Sequence, residues 1–298
     1  MKHAYAPAAA PALFSHVFYY FRKDKLAFAG GAVFILLTLI SLLAPYLAPH
    51  DPIAVDLEQR LLKSSFEYPL GTDQLGRCEL SRLIFGIRAS FGNALLVLGG
   101  ILIIGVPLGI AAGYVGGWVD NLIMRAADIV STFPSSLLAL AVVSIMGPGI
   151  SNIMLVLVCL WWAPFARIIR GTVLKMKEQD FVMAAVAAGT SRFNIVVKHI
   201  LLNSVSPIVV LSTLKIASII MHIAGYSFIG LGTQPPAADL GVMLNDRRQL
   251  ISTAPILMLW PGLMIMMIVF GLNMLGEGLN EALLPNSSNQ ITRVSKGD

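Results

Sequence analysis

Asp180-Phe-Val-Met-Ala-Ala-Val-Ala-Ala-Gly189, running on to Lys198-His-Ile-Leu-Leu-Asn203, is a helix-prone loop set between two hydrophobic spans. It places Ala-Ala and then Gly at fixed spacing. Ala184 and Ala185 leave a shallow surface that another protein can approach, and Gly189 permits the positive φ that ends a helix. The stretch reads as helix, turn, helix. The second helix covers about Phe193 to Leu201, with Ile195, Val196 and Ile200 beside Lys198 and His199. From these residues alone two readings stay open: a docking handle for a cytosolic partner, or an ordinary amphipathic cytosolic loop.

The rest of the chain is nearly all membrane. Of 298 residues, 56% are hydrophobic and 12% charged, with a mean hydropathy of +0.78. A soluble domain carries about 25% charged residues. The deficit runs the whole length, which points to a polytopic membrane protein. The formal charge of +5 is dispersed between apolar spans, not gathered in a polar domain. That argues for lipid as the surroundings and against nucleic acid as a partner. The first apolar run, Leu26 to Leu47, is longer than a signal-peptide core and ends in Pro45-Tyr-Leu-Ala-Pro-His50, so it reads as a retained helix.

Working outward, charge-free runs predict an all-α protein with six transmembrane helices. These are 26–47, one within Ala89–Val119, two within Ile129–Ala166 separated by Gly147-Pro148-Gly149, Ser204–Gly230, and Ile251–Leu275. Residues 49–88 and 167–203 are the substantial polar segments, and 118–128 is a short polar link. The organisation is then a segment 1–25, a six-helix domain 26–283 and a tail 284–298. Residues 13–25 read as a short amphipathic helix on the membrane surface. Six spans put both termini on one side. Counting Lys and Arg, that side holds thirteen and the other seven, which places the termini and the 167–203 loop in the cytoplasm. Cys78 in a loop and Cys159 in a span are kept apart by depth, so no disulfide between them is expected. Gly105, Gly109 and Gly113, with Gly117 one step on, line one helix face and let another backbone approach.

No Gly-xxxx-Gly-Lys-Ser/Thr, His-Glu-xx-His or Gly-x-Ser-x-Gly occurs in the chain. An enzyme reading therefore has no nucleophile or metal site to stand on, so neither catalytic residues nor a cofactor in this chain are expected. If transport is energised by ATP, the nucleotide must bind another chain. An ion-coupled secondary transporter is the rival reading. It favours inverted repeats and acidic residues within helices, and neither is evident.

Several pieces, in order, resemble the dipeptide, oligopeptide and nickel permeases of ATP-binding-cassette importers. They are Ala44-Pro45 with Pro49-His-Asp-Pro52; Leu70-Gly-Thr-Asp73-Gln-Leu-Gly-Arg77 with Ser81-Arg82 and Gly86-Ile-Arg88-Ala-Ser90; and Gly113-Tyr-Val-Gly-Gly117 with Asp120, Arg125 and Asp128. Phe133-Pro134, the Ala184-Ala185-xxx-Gly189 loop, and Ser227-Phe-Ile-Gly-Leu-Gly232 with Pro235-Pro236 and Gly241 complete the set. The resemblance implies a type I importer permease with a second homologous permease, two ATPase subunits and an extracytoplasmic binding protein as partners. It implies that Asp180, Ala184, Ala185, Gly189 and His199 mark the loop that couples to the ATPase. It also makes Arg77–Arg88 and Pro235–Arg248 candidates for the face that meets the binding protein. Met183, Leu202, Cys78 and Leu240 depart from the family pattern, the last two on that outer face.

Lys215 and His222 are the ionisable side chains within the fifth span that can carry positive charge, and seven residues apart they share a helix face. Intramembrane ionisable groups are costly and usually face a cavity or a partner. The expectation is that they line the translocation path and attract an anionic or metal-chelating cargo. The alternative is that Lys215 snorkels or pairs with the second permease while His222 packs. Met221-His-Ile-Ala-Gly225 and Asn245-Asp-Arg-Arg-Gln249 resemble nickel-type permeases more than dipeptide ones, so a nickel or metallophore cargo is expected ahead of a peptide.

Overall fold

A computed structural model describes residues 24–283, and these are helical apart from loops and one isolated bridge between Thr72 and Cys78. Met1-Lys-His3, nearly all of the 13–25 stretch, and the tail 284–298 lie outside the described residues. The helices are α1 (Lys25–Leu47), α2 (Glu79–Val115), α3 (Gly117–Ser131), α4 (Ser135–Met146) and α5 (Ile150–Lys177). They continue with α6 (Asp180–Ala187), α7 (Arg192–Phe228), α8 (Leu240–Asp246) and α9 (Pro255–Leu283). Helices α1, α2, α5, α7 and α9 are long and apolar enough to cross a membrane. Helices α3 and α4, bent by 79° at their break, make a sixth crossing when taken as one span.

The structure redraws three boundaries. Helix α2 begins at Glu79, ten residues before the apolar run, because Glu79 and Arg82 are buried against distant loop partners. The expected polar link at 118–128 is helix α3, amphipathic and tied by its acids to α5. Arg170 donates to Asp120 at 2.5 and 2.6 Å, and Arg167 to Asp128 at 2.9 Å. The expected second loop helix and the fifth span are one 37-residue helix, α7, with Ile195–Leu201 widened to a π-helix. Leu202 keeps its N–H, so the helix runs on past it, and the proline inside the helix is Pro207, five residues further along.

The glycine stripe on α2 packs on α5. A Cβ built on Gly109 falls 2.6 Å from the Ala166 carbonyl oxygen, and one on Gly113 falls 2.8 Å from Val173 Cβ. Gly117 is not part of this stripe. Its Cβ meets open space, and its φ of +59° serves the turn that opens α3. A second close approach, Gly30 and Val33 of α1 against Gly271 of α9, had no glycine periodicity to announce it. Ile101, Ile153, Leu157, Ile219, Ile220 and Ile223 form the centre where α2, α5 and α7 meet.

The expected result for Gly109→Leu is a loss of about 1–3 kcal/mol, since backbone must move to admit the side chain. A fall in the thermal midpoint of the purified protein measures it. Gly99→Ala changes that midpoint little, because nothing lies within 4 Å of its Cβ.

Candidate coupling surface and translocation path

Helix α6 is short and stands between the ends of α5 and α7. Its C-terminus closes as a Schellman motif: Thr190 N–H donates to the Ala185 carbonyl at 3.1 Å and Gly189 N–H to that of Val186 at 3.0 Å, with Gly189 at φ +73°. Ser191 Oγ then accepts the Asn194 N–H at 3.4 Å and starts α7. Val182 is buried, and Phe181 and Ala185 are half-buried against the bundle. Asp180, Met183, Ala184 and Ala187 face outward. The result is an exposed ridge with a small-residue centre flanked by Met183 and Val186, 51% and 57% exposed, and by Phe193 at 75%. Those apolar residues were not singled out by spacing. His199 behaves differently from the rest of the set. It is half-buried, and its ring centroid lies 6.3 Å from that of Phe181, so it braces α6 from within.

At the other end of the bundle, the loop before α2 is fastened to the loop holding α8. Arg77 Nε donates to Asp73 at 2.7 Å and its Nη2 reaches Asp246 at 3.4 Å. Arg82 lies 3.7 Å from both Asp73 and Asp246 and donates to the Pro52 carbonyl at 3.1 Å. Arg247 bonds Glu79 and the Met243 carbonyl. Arg77, Arg82 and Arg247 are therefore buried, not presented to a docking protein; of the basic residues in these two regions, Arg88 and Arg248 are exposed. Cys78 and Leu240 are buried as well, which removes them from outer contacts.

Asp239 caps α8, accepting the Gly241 and Val242 N–H groups at 3.0 and 3.3 Å and the Ser90 hydroxyl at 3.4 Å. Burial pushes its carboxyl above the usual carboxylate range, against those hydrogen bonds. A raised carboxyl favours the packed state at pH below its unfolded value and loses that contribution as pH rises through the folded one. Amide-exchange protection across 240–246, corrected for intrinsic rates, is expected to fall over that rise. Asp239→Asn flattens the dependence.

Within the spans, Lys215 and His222 do share a face, and the shared neighbour is Trp161 of α5. Lys215 Nζ sits 4.2 Å from the Trp161 ring centroid, and the His222 ring meets the same ring edge-on at 4.6 Å. His222 Nδ1 lies 2.8 Å from the Ser218 carbonyl. Trp161 is 54 residues from Lys215 in sequence, so no local pattern links them.

Long apolar helices with a small exposed helix held between two of them make a multi-pass membrane protein. The family model described as "Binding-protein-dependent transport system inner membrane component" matches residues 105–286. The one described as "N-terminal TM domain of oligopeptide transport permease C" matches 13–64. The chain belongs to this family of inner-membrane permease subunits of ATP-binding-cassette importers. It is 40% identical over 264 residues to the dipeptide transport system permease protein DppC of Alkalihalophilus pseudofirmus, covering 89% of this chain and 87% of that one. It is 39% identical over 254 residues to the nickel transport system permease protein NikC of Escherichia coli, covering 85% and 92%. It is 39% identical over 267 residues to the glutathione transport system permease protein GsiD of Pectobacterium atrosepticum, covering 89% and 88%. Dipeptide and nickel relatives stand level, so the expected lean toward nickel is not singled out.

Proposed function

We propose that the protein forms half of the translocation path of an ATP-driven importer, with its termini and α6 in the cytoplasm. A second homologous permease supplies the other half, two ATPase subunits bind below, and a binding protein delivers cargo from outside. The observation that carries this is the α6 ridge: a rigid, capped helix whose exposed face combines alanines with apolar side chains. Four residues join α6 to α7 and two join it to α5. A push on α6 therefore moves two spans together, and closure of the ATPases shifts the path between its inward- and outward-facing states. Such a shift requires contacts with the ATPase that differ between the two states. The π-helical turns at the base of α7 lie where that displacement enters the span.

The cargo is a small solute of the class the relatives' names describe: a short peptide, or nickel or another metal as a chelate of metallophore type. Uptake of labelled nickel, free and chelated, is measured against a labelled dipeptide in cells lacking the chain and in the same cells complemented with it. Loss and rescue of nickel uptake alone selects the metal branch; loss and rescue of dipeptide uptake selects the peptide branch. Rescue of neither sinks the importer reading for both cargoes.

A further inference from the structure

Lys215 is half-buried within α7, and among the described residues it has neither an ion-pair nor a hydrogen-bond partner; its one contact of note is the face of Trp161. A cation inside a membrane span is expensive and is retained where something offsets its charge. The ring quadrupole offsets part of it. The remaining ammonium protons have no acceptor. His222 stands two turns along on the same ring. With its Nδ1 against the Ser218 carbonyl, an acceptor only, Nδ1 carries the ring proton. Nε2 is then the free acceptor of the neutral imidazole, suited to an N–H group or a metal ion.

Resting on the reading that this face borders the translocation path, we propose that Lys215, Trp161 and His222 form a binding station for a carboxylate-bearing cargo. The carboxylate pairs with Lys215 over the indole, and the cargo's amide N–H or chelated metal meets His222 Nε2. This one chemistry is shared by short peptides and by metal ions held in carboxylate chelators. It disfavours a bare divalent cation, which meets a like charge at Lys215.

The test is uptake kinetics in cells carrying the whole importer, with four labelled probes: alanyl-alanine, its C-terminal amide, nickel citrate and nickel chloride. Lys215→Met removes a cation from a membrane helix, which lowers insertion cost, and immunoblotting confirms its abundance. The expected result is a KM at least tenfold higher for alanyl-alanine or nickel citrate, with the amide transported no worse than by the native protein. Lys215→Arg restores most of the native KM. The proposal is overturned if Lys215→Met slows acid and amide by the same factor, if it changes neither, or if nickel chloride enters as well as nickel citrate. If the chain's presence alters uptake of none of the four, the importer reading fails first and the station with it.

Discussion

Arg247→Met lowers stability by about 3–5 kcal/mol, because it leaves Glu79 buried without its cation. Glu79 and Arg247 are almost completely removed from solvent, and they join the first turn of α2 to the residue that follows α8, 168 positions away. Arg77, Arg82, Asp73 and Asp246 surround the pair, so the three cations and three acids balance. Balance among buried charges is weak evidence for net stability, but removing one partner exposes the full desolvation cost of the other. The double variant Arg247→Met with Glu79→Leu is therefore expected to recover most of the loss. Thermal midpoints of the two single variants and the double variant, in one detergent, give the coupling. A double variant as unstable as its worse parent removes the Glu79–Arg247 pair from the account and leaves Arg77 and Arg82, with Asp73 and Asp246, as the polar ties between the outer loops.

The same clasp shows why part of the fold was illegible. Runs without charge give the spans, because a membrane helix must hide its backbone and cannot carry many ions. They fail where a polar helix is satisfied by residues far off in sequence. Glu79 and Arg82 look like loop residues until their partners at 246 and 247 and the Pro52 carbonyl are in place. Helix α3 failed in the same way, since Arg167 and Arg170 answer Asp128 and Asp120 from another helix. Features fixed by one residue's own backbone were legible: Gly189 adopts the positive φ that its place after the alanines demands. The Gly105–Gly113 stripe was legible too, because small residues every fourth position describe a face whatever packs on it. Trp161 under Lys215 and His222 was not, since its role exists only in the packed bundle.

Ala184→Trp is expected to abolish coupled transport while leaving the permease folded. Ala184 is exposed on α6, so a large side chain there meets solvent in the free chain and costs little. On the proposed docking of α6 in an ATPase groove shaped to an alanine, the same indole has no room. A loss of about 2 kcal/mol at that contact is roughly a thirtyfold loss of docking. Uptake and cargo-stimulated ATP hydrolysis should both drop by at least tenfold in the reconstituted complex. The native ATPase should no longer co-purify at low concentration. Ala184→Ser, nearly the same size, serves as the control and keeps both activities. Gly189→Val is the complementary change: it sets a β-branched residue at φ +73°, so it disturbs the cap as well as the surface. The two variants separate surface from scaffold. Normal transport by Ala184→Trp would mean that α6 is not the docking element, and the exposed Phe193 at the start of α7 would be the next surface to change.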